Sequence, residues 1–159
     1  MIAVPQGRTV AGIGVYVAAP TYEPVPAVPS LCCELATEPV SASRARRMVR
    51  ERYSGCGPPD ALDDLALVVT ELVANAVAAS PAGGRVVLRV RPAGDELLVE
   101  VYDVVEAAPQ CRCPDDQGED GRGLLLVREL SSVWGWSALQ GGKAVWAVVP
   151  LARPMVAAS

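Results

Sequence analysis

Through residues 60–79 apolar side chains recur at Leu62, Leu65, Val69, Leu72, Val73 and Ala76, a spacing of three and four that predicts an amphipathic helix with this stripe toward a core. Asp60, with Asp63 three residues on, reads as its N-cap, and Ser80-Pro81-Ala82-Gly83-Gly84 breaks it after Ala79. Glu71 and Asn75 fall off the stripe, beside Leu67 and Val68, and their four-residue separation stacks them on one helical face. An earlier helix is predicted from Pro39-Val40-Ser41, with Ala45, Met48, Val49 and Tyr53 as its stripe and Gly55-Cys56-Gly57-Pro58-Pro59 as its end. A third, apolar helix over 124–130 follows Gly121-Arg122-Gly123 directly.

Strands are predicted where runs are short or alternate. Residues 31–36 form one, and 85–91 and 96–103 form a hairpin around Pro92-Ala93-Gly94-Asp95. Residues 133–138 and 143–151 form another around Gln140-Gly141-Gly142, with Trp134, Trp136 and Trp146 expected as core anchors. Up to residue 29 the chain carries Pro5, Pro20, Pro24, Pro26 and Pro29, which disfavour helix and central strand, so a flexible or extended arm is expected. Residues 104–120, rich in Pro, Gly, Asp and Gln, make a loop of a length that in a compact domain is functional or disordered. The organisation read from this pattern is an arm over 1–29, one globular domain over 30–151 and a tail over 152–159.

Composition narrows the function classes. With 159 residues, 51% of them hydrophobic, the chain fits one domain with an ordinary core. A formal charge of -4 argues against direct nucleic-acid binding, which requires clustered cations. Arg44, Arg46, Arg47, Arg50 and Arg52 do cluster, but they surround the apolar stripe of the first helix and read as a solvated face. Histidine is absent, which removes Ser-His and Cys-His catalysis, histidine-ligated zinc and phosphohistidine within this chain. The five cysteines form no CxxC pair, so reduced cytoplasmic thiols are expected, with Cys111 and Cys113 in the long loop as the one redox-capable pair. The Gly-broken N-terminus does not read as an export signal, and no apolar run reaches the roughly 18 to 20 residues of a membrane span.

Three features then carry chemistry. A buried amide without a partner costs roughly 1–3 kcal/mol and a buried carboxylate more, so Glu71 and Asn75 call for a ligand or a metal ion. Glycines running into a helix start offer bare amides and a favourable dipole to an anion, which points to Gly121-Arg122-Gly123. Asp103 ends a strand where a loop begins, as a turn initiator or as a binding residue.

TELVANAV (70–77), VEVYD (99–103), GRGLLLVREL (121–130), WGW (134–136) and GGKAVW (141–146), in that order, resemble the GHKL ATPase superfamily and, within it, the anti-sigma-factor serine/threonine kinase-like ATP-binding proteins of actinobacteria. The resemblance spans roughly residues 31–151. It implies an α+β fold, a two-layer α/β sandwich with a mostly antiparallel mixed sheet and helices on one face. It implies ATP and Mg²⁺ as cofactors, with Glu71 as general base, Asn75 as a magnesium ligand, Asp103 accepting from the adenine amine, and Gly121, Arg122, Gly123 and Leu124 at the phosphates beneath a lid formed by 104–120.

The partners implied are a sigma factor or a STAS-type anti-anti-sigma protein carrying the phosphorylated serine, with a homodimer as the expected assembly. The sequence departs from the family pattern at Val105, where a small residue is usual, at Ala144, where Thr commonly follows Gly-Lys, and at Ala78-Ala79, where a basic pair is usual. A non-catalytic partner-binding module on the same fold is therefore the alternative reading.

Overall fold

The computed structural model describes residues 7–10, 16–18, 28–109 and 122–151, the first two segments and Arg122 through their backbone alone. In chain order the elements are β1 (Gly7–Val10), β2 (Tyr16–Ala18), β3 (Leu31–Ala36), α1 (Val40–Arg52), α2 (Pro59–Ala79), β4 (Arg85–Ala93), β5 (Glu96–Asp103), α3 (Arg122–Leu130), β6 (Val133–Leu139) and β7 (Gly142–Pro150). The strands form one open sheet in the order β2-β1-β6-β7-β5-β4-β3, and each neighbouring pair is antiparallel. All three helices contribute to one apolar core with alternate residues of a single sheet face: Leu35, Val86, Leu88, Val90, Leu97, Val99, Val101, Val145, Ala147 and Val149. The chain therefore adopts the expected α+β architecture with its helices on one side.

Local chemistry explains the element ends. Helix α2 begins with Pro59 at its first position after an extended Pro58, and no side chain caps it. Asp60 is thus not the N-cap predicted from sequence but a first-turn residue. Proline has a φ suited to that first position and no N–H to leave unsatisfied, and a carboxylate one residue later complements the helix dipole. At the far end Ser80 turns back, its hydroxyl donating to the Ala76 carbonyl at 2.7 Å. Strand β4 runs through Pro92 and Ala93, which leaves only Gly94-Asp95 as the turn, with Gly94 at φ 71°. Proline is tolerated there because β3 stops opposite Val90, so that stretch of β4 is paired on one side only.

Two expectations are corrected. The arm contributes strands β1 and β2, and β1 joins the sheet through Thr9 opposite Trp136 and Val10 opposite Gly135. Its prolines bracket the stretch from 6 to 19 and spare it, so their density across the whole arm misrepresents that stretch. Val68 is fully buried in the main core, whereas Leu62 is only partly so. Because α1 and α3 flank α2 while the sheet lies beneath it, its buried face extends from Ala61 to Ala76 and is wider than a single stripe. The three tryptophans anchor apolar clusters as expected, Trp134 and Trp136 against the main core and Trp146 on the opposite sheet face with Ala93, Leu98 and Val148. Strand alternation requires this, since Val145 and Ala147 face the helices.

Other contacts fasten the layers. The Tyr53 hydroxyl donates to the Val90 carbonyl at 3.2 Å, tying the end of α1 to β4, and burial raises its pKa well above the ordinary phenol range. Among the α1 arginines, Arg50 pairs with Asp63 on α2, Arg47 lies near Glu51, and Arg52 donates to the Ser30 carbonyl. Among the described residues, no helix is long and apolar enough to cross a membrane.

Val68→Ala is expected to cost about 2 kcal/mol, from two buried methyl groups at about 0.8 kcal/mol each plus a cavity contribution. Ala74→Ser, on the exposed side of the same helix, should stay within about 0.5 kcal/mol. Urea midpoints of the two variants check the width of the buried face.

Candidate functional site

Glu71 and Asn75 project from the middle of α2, one turn apart, and each is half-buried. The Glu71 carboxylate lies against the start of α3. A Cβ added at Gly123 would overlap Glu71 Oε2, the free end of that side chain, so the absence of a side chain at Gly123 leaves the carboxylate its present place. Helix α3 starts at Arg122, earlier than the sequence pattern indicates, and Gly123 therefore belongs to its first turn. Amides of a first helical turn lack intrahelical acceptors and suit an anion. Leu124 is buried in the core, where its side chain anchors that turn. Gly121 lies outside the described residues, as do 110–120 of the expected lid with Cys111 and Cys113.

Asp103 occupies the last position of β5. Along that strand Leu97, Val99 and Val101 face the helices, so Asp103 faces them too, at the end of the same row. Directly opposite in the β5–β7 ladder is Lys143, whose Nζ donates to Asp103 Oδ1 at 2.9 Å. Both side chains are buried, at 2% exposure for Lys143 and 0% for Asp103. Asp103 Oδ1 also accepts from the Val105 amide at 2.8 Å, and Lys143 Nζ donates to the Val105 carbonyl at 3.1 Å. Asp103 Oδ2 is buried and has no hydrogen-bond partner among the described residues.

The hairpin turn closes on this corner. A Cβ at Gly142 would overlap the Asp103 carbonyl, and the Gly141 amide donates to Glu106 Oε1 at 3.2 Å. Val105 thus serves through its backbone alone, and no non-glycine residue described has a positive φ.

Ala144 pairs with Tyr102, on the sheet face away from the helices, so a missing hydroxyl at 144 takes nothing from the Asp103 corner. The residue of that strand beside Asp103 is Lys143, to which the sequence reading assigned no role. Its signal was present in outline. Placing the Gly-Lys of the last hairpin opposite the end of the VEVYD strand makes Lys143 the cross-strand neighbour of Asp103.

The described residues therefore offer two kinds of recognition. A buried carboxylate oxygen without a donor fits an N–H group, such as the exocyclic amine of a purine. The first turn of α3, approached by Glu71 and free of side-chain bulk at Gly123, fits a phosphate chain. A divalent cation would find Asn75 and phosphate oxygens as ligands, and among the described residues no three acidic, cysteine or histidine side chains cluster to hold one alone.

Comparison with known proteins identifies the family of the domain. Residues 35–149 match the family model described as the histidine kinase-like ATPase domain. No curated protein matches the chain by sequence. Among solved structures, the RsbU and RsbW domains of Rv1364c from Mycobacterium tuberculosis superpose with a TM-score of 0.60 at 23% identity, over 79% of this chain and 33% of that one. The chain thus spans about a third of the length of that structure. The histidine kinase domain of the blue-light activated kinase EL346 from Erythrobacter litoralis gives 0.48 at 21% identity, over 74% of this chain and 62% of that one. The mycobacterial sensor histidine kinase MprB gives 0.46 at 21%, over 77% and 100%.

Gly123→Ala tests the contact between α2 and α3. The overlap is with the free end of a flexible side chain, so Glu71 should swing aside at a cost below about 1 kcal/mol, roughly offset by the better helix propensity of alanine. Combined with Glu71→Ala, the same change should become stabilising by up to about 1 kcal/mol. A coupling energy near zero in that thermal double-mutant cycle would show that the two residues do not touch.

Proposed function

The chain belongs to the histidine kinase-like ATPase family, and from this membership we propose that it binds ATP with Mg²⁺ and acts as a protein serine/threonine kinase of the anti-sigma-factor type. The observation that carries the reading is Asp103: a buried carboxylate with one oxygen filled by Lys143 and Val105 and the other lacking a donor. The adenine amine supplies that donor, whereas guanine places a carbonyl at the equivalent position and meets the carboxylate with repulsion. The phosphates lie toward the first turn of α3, where Gly123 leaves room for them.

Asn75 would hold Mg²⁺ through its amide oxygen. The bound ion neutralises phosphate charge and orients the terminal phosphoryl group. Glu71, one helical turn from Asn75, accepts the proton of an attacking serine hydroxyl or of water. The TELVANAV, VEVYD, GRGLLLVREL and GGKAVW segments support the anti-sigma branch of the family. On that reading the protein sequesters a sigma factor and is opposed by a STAS-type anti-anti-sigma protein whose serine it phosphorylates, as a cytoplasmic regulator of transcription by partner switching. A homodimer is the assembly this reading carries. The second reading, a non-catalytic partner-binding module, is favoured by one observation, namely that Lys143 already occupies an oxygen of the base-reading carboxylate.

Isothermal titration should show Mg²⁺-dependent ATP binding. Asp103→Asn should weaken it about tenfold or more, the scale of one hydrogen bond to a charged group. Glu71→Ala should leave ATP affinity within about threefold while abolishing phosphotransfer to a serine-bearing partner. No heat of ATP binding at millimolar concentration would remove the kinase and leave the interaction module.

A further inference from the structure

The buried Lys143 belongs to the GGKAVW segment but has no role assigned by the resemblance, yet it contacts the residue proposed to read the base. Its ammonium makes two bonds, to Asp103 Oδ1 at 2.9 Å and to the Val105 carbonyl at 3.1 Å. With the Val105 amide at 2.8 Å, Oδ1 has two donors, and the carboxylate is held from the facing strand and from its own loop at once. A carboxylate fixed through one oxygen cannot turn freely about its last torsion. Its second oxygen, Oδ2, stays buried and without a donor among the described residues.

We propose that Lys143 is a positioning residue for base selection. By filling Oδ1 and supplying the compensating charge, it leaves Oδ2 as the only acceptor offered to a ligand and restricts that ligand to one with a single N–H donor. The chemical class selected is a neutral heteroaromatic amine, as at C6 of adenine. A ring that presents a carbonyl, or only a C–H, at that point leaves Oδ2 without a donor, and a buried carboxylate oxygen without one is costly. The cation also makes the carboxylate tolerable in a buried place, because the buried pair carries no net charge. The register contributes as much as the charge. Asp103 and Lys143 are paired positions of the β5–β7 ladder, so the backbone sets their separation, and the tight approach of Gly142 to the Asp103 carbonyl holds that register.

This inference rests on the nucleotide reading above, and its test separates the two. Competition binding compares ATP with purine riboside triphosphate, which has hydrogen in place of the C6 amine, in the wild type, Lys143→Met and Lys143→Arg. The melting temperature of each protein is recorded. The wild type should prefer ATP about tenfold or more. In Lys143→Met that preference should fall to about twofold while purine riboside triphosphate binds within about threefold of wild type, and Lys143→Arg should recover part of the preference. Should the Met variant not fold, Lys143→Gln, polar but one bond too short to reach Asp103 in the same way, is expected to show the same loss.

A variant that melts earlier yet keeps the full preference makes Lys143 merely structural and overturns the inference. A wild type that binds both triphosphates equally overturns it as well, while ATP binding itself survives. A wild type that binds neither ends the nucleotide reading and the inference together.

Discussion

Helix α2 lies on the sheet over β4, β5 and β7 and is flanked by α1 and α3, and this burial fixes the height of everything that projects from it. Leu65, Val68, Val69, Leu72 and Val73 are essentially without solvent contact, and burying side chains of this kind contributes roughly 1.5–3 kcal/mol each for the larger ones. A helix held so firmly cannot slide by a turn without moving several of these side chains into polar surroundings. Glu71 and Asn75 inherit that rigidity. They sit where the buried stripe ends and the approach to α3 begins, so Glu71 meets Gly123 through the packing of two helices, with no loop needed to bring them together.

The other corner of the site is fixed by strand register. Asp103 and Lys143 are buried charges, and such a pair is not by itself a stabilising device, because desolvating both ions costs about as much as their attraction returns. Replacing the two by apolar residues of similar size would leave the ladder intact and the core drier. Removing one alone would strand a buried charge, a change of roughly 3–5 kcal/mol. An arrangement of that kind constrains the site more than it strengthens the fold. What it fixes here is the carboxylate, whose Oδ1 is filled and whose Oδ2 is left for something else.

Much of this was legible in the sequence because it follows from periodicity. The hydrophobic spacing of 60–79 fixes a helix, the alternation in VEVYD fixes a strand, and Glu71 with Asn75 stands out because polar residues interrupt an apolar run. Val68 was misplaced because a single stripe is the rule for a helix with one neighbour, and α2 has the sheet and two helices against it. The strands in the arm were missed because proline density was weighed over the whole segment, while the prolines bracket a stretch that pairs with β6. Lys143 carries no role in the sequence reading for a physical reason. Which of two adjacent strand residues faces Asp103 depends on register, and register comes from pairing between distant segments that no local pattern displays. Once β5 and β7 are aligned, parity alone assigns Lys143 to the site and Ala144 to the opposite face.

The two ends of the site therefore rest on different kinds of order. On the function proposed above, selection of the base depends on facing strands in one sheet, where a shift of a single residue would turn Lys143 away and bring Ala144 beside Asp103. The phosphate end depends on two helices whose approach tolerates small movements, and its close contact is between a flexible carboxylate and a glycine. A substitution in the β5–β7 ladder should consequently alter which nucleotide is accepted, and one at the junction of α2 and α3 should alter what is done with it. The hold of Glu106 on the Gly141 amide and of Val105 on Lys143 keeps the segment that follows Asp103 on the sheet.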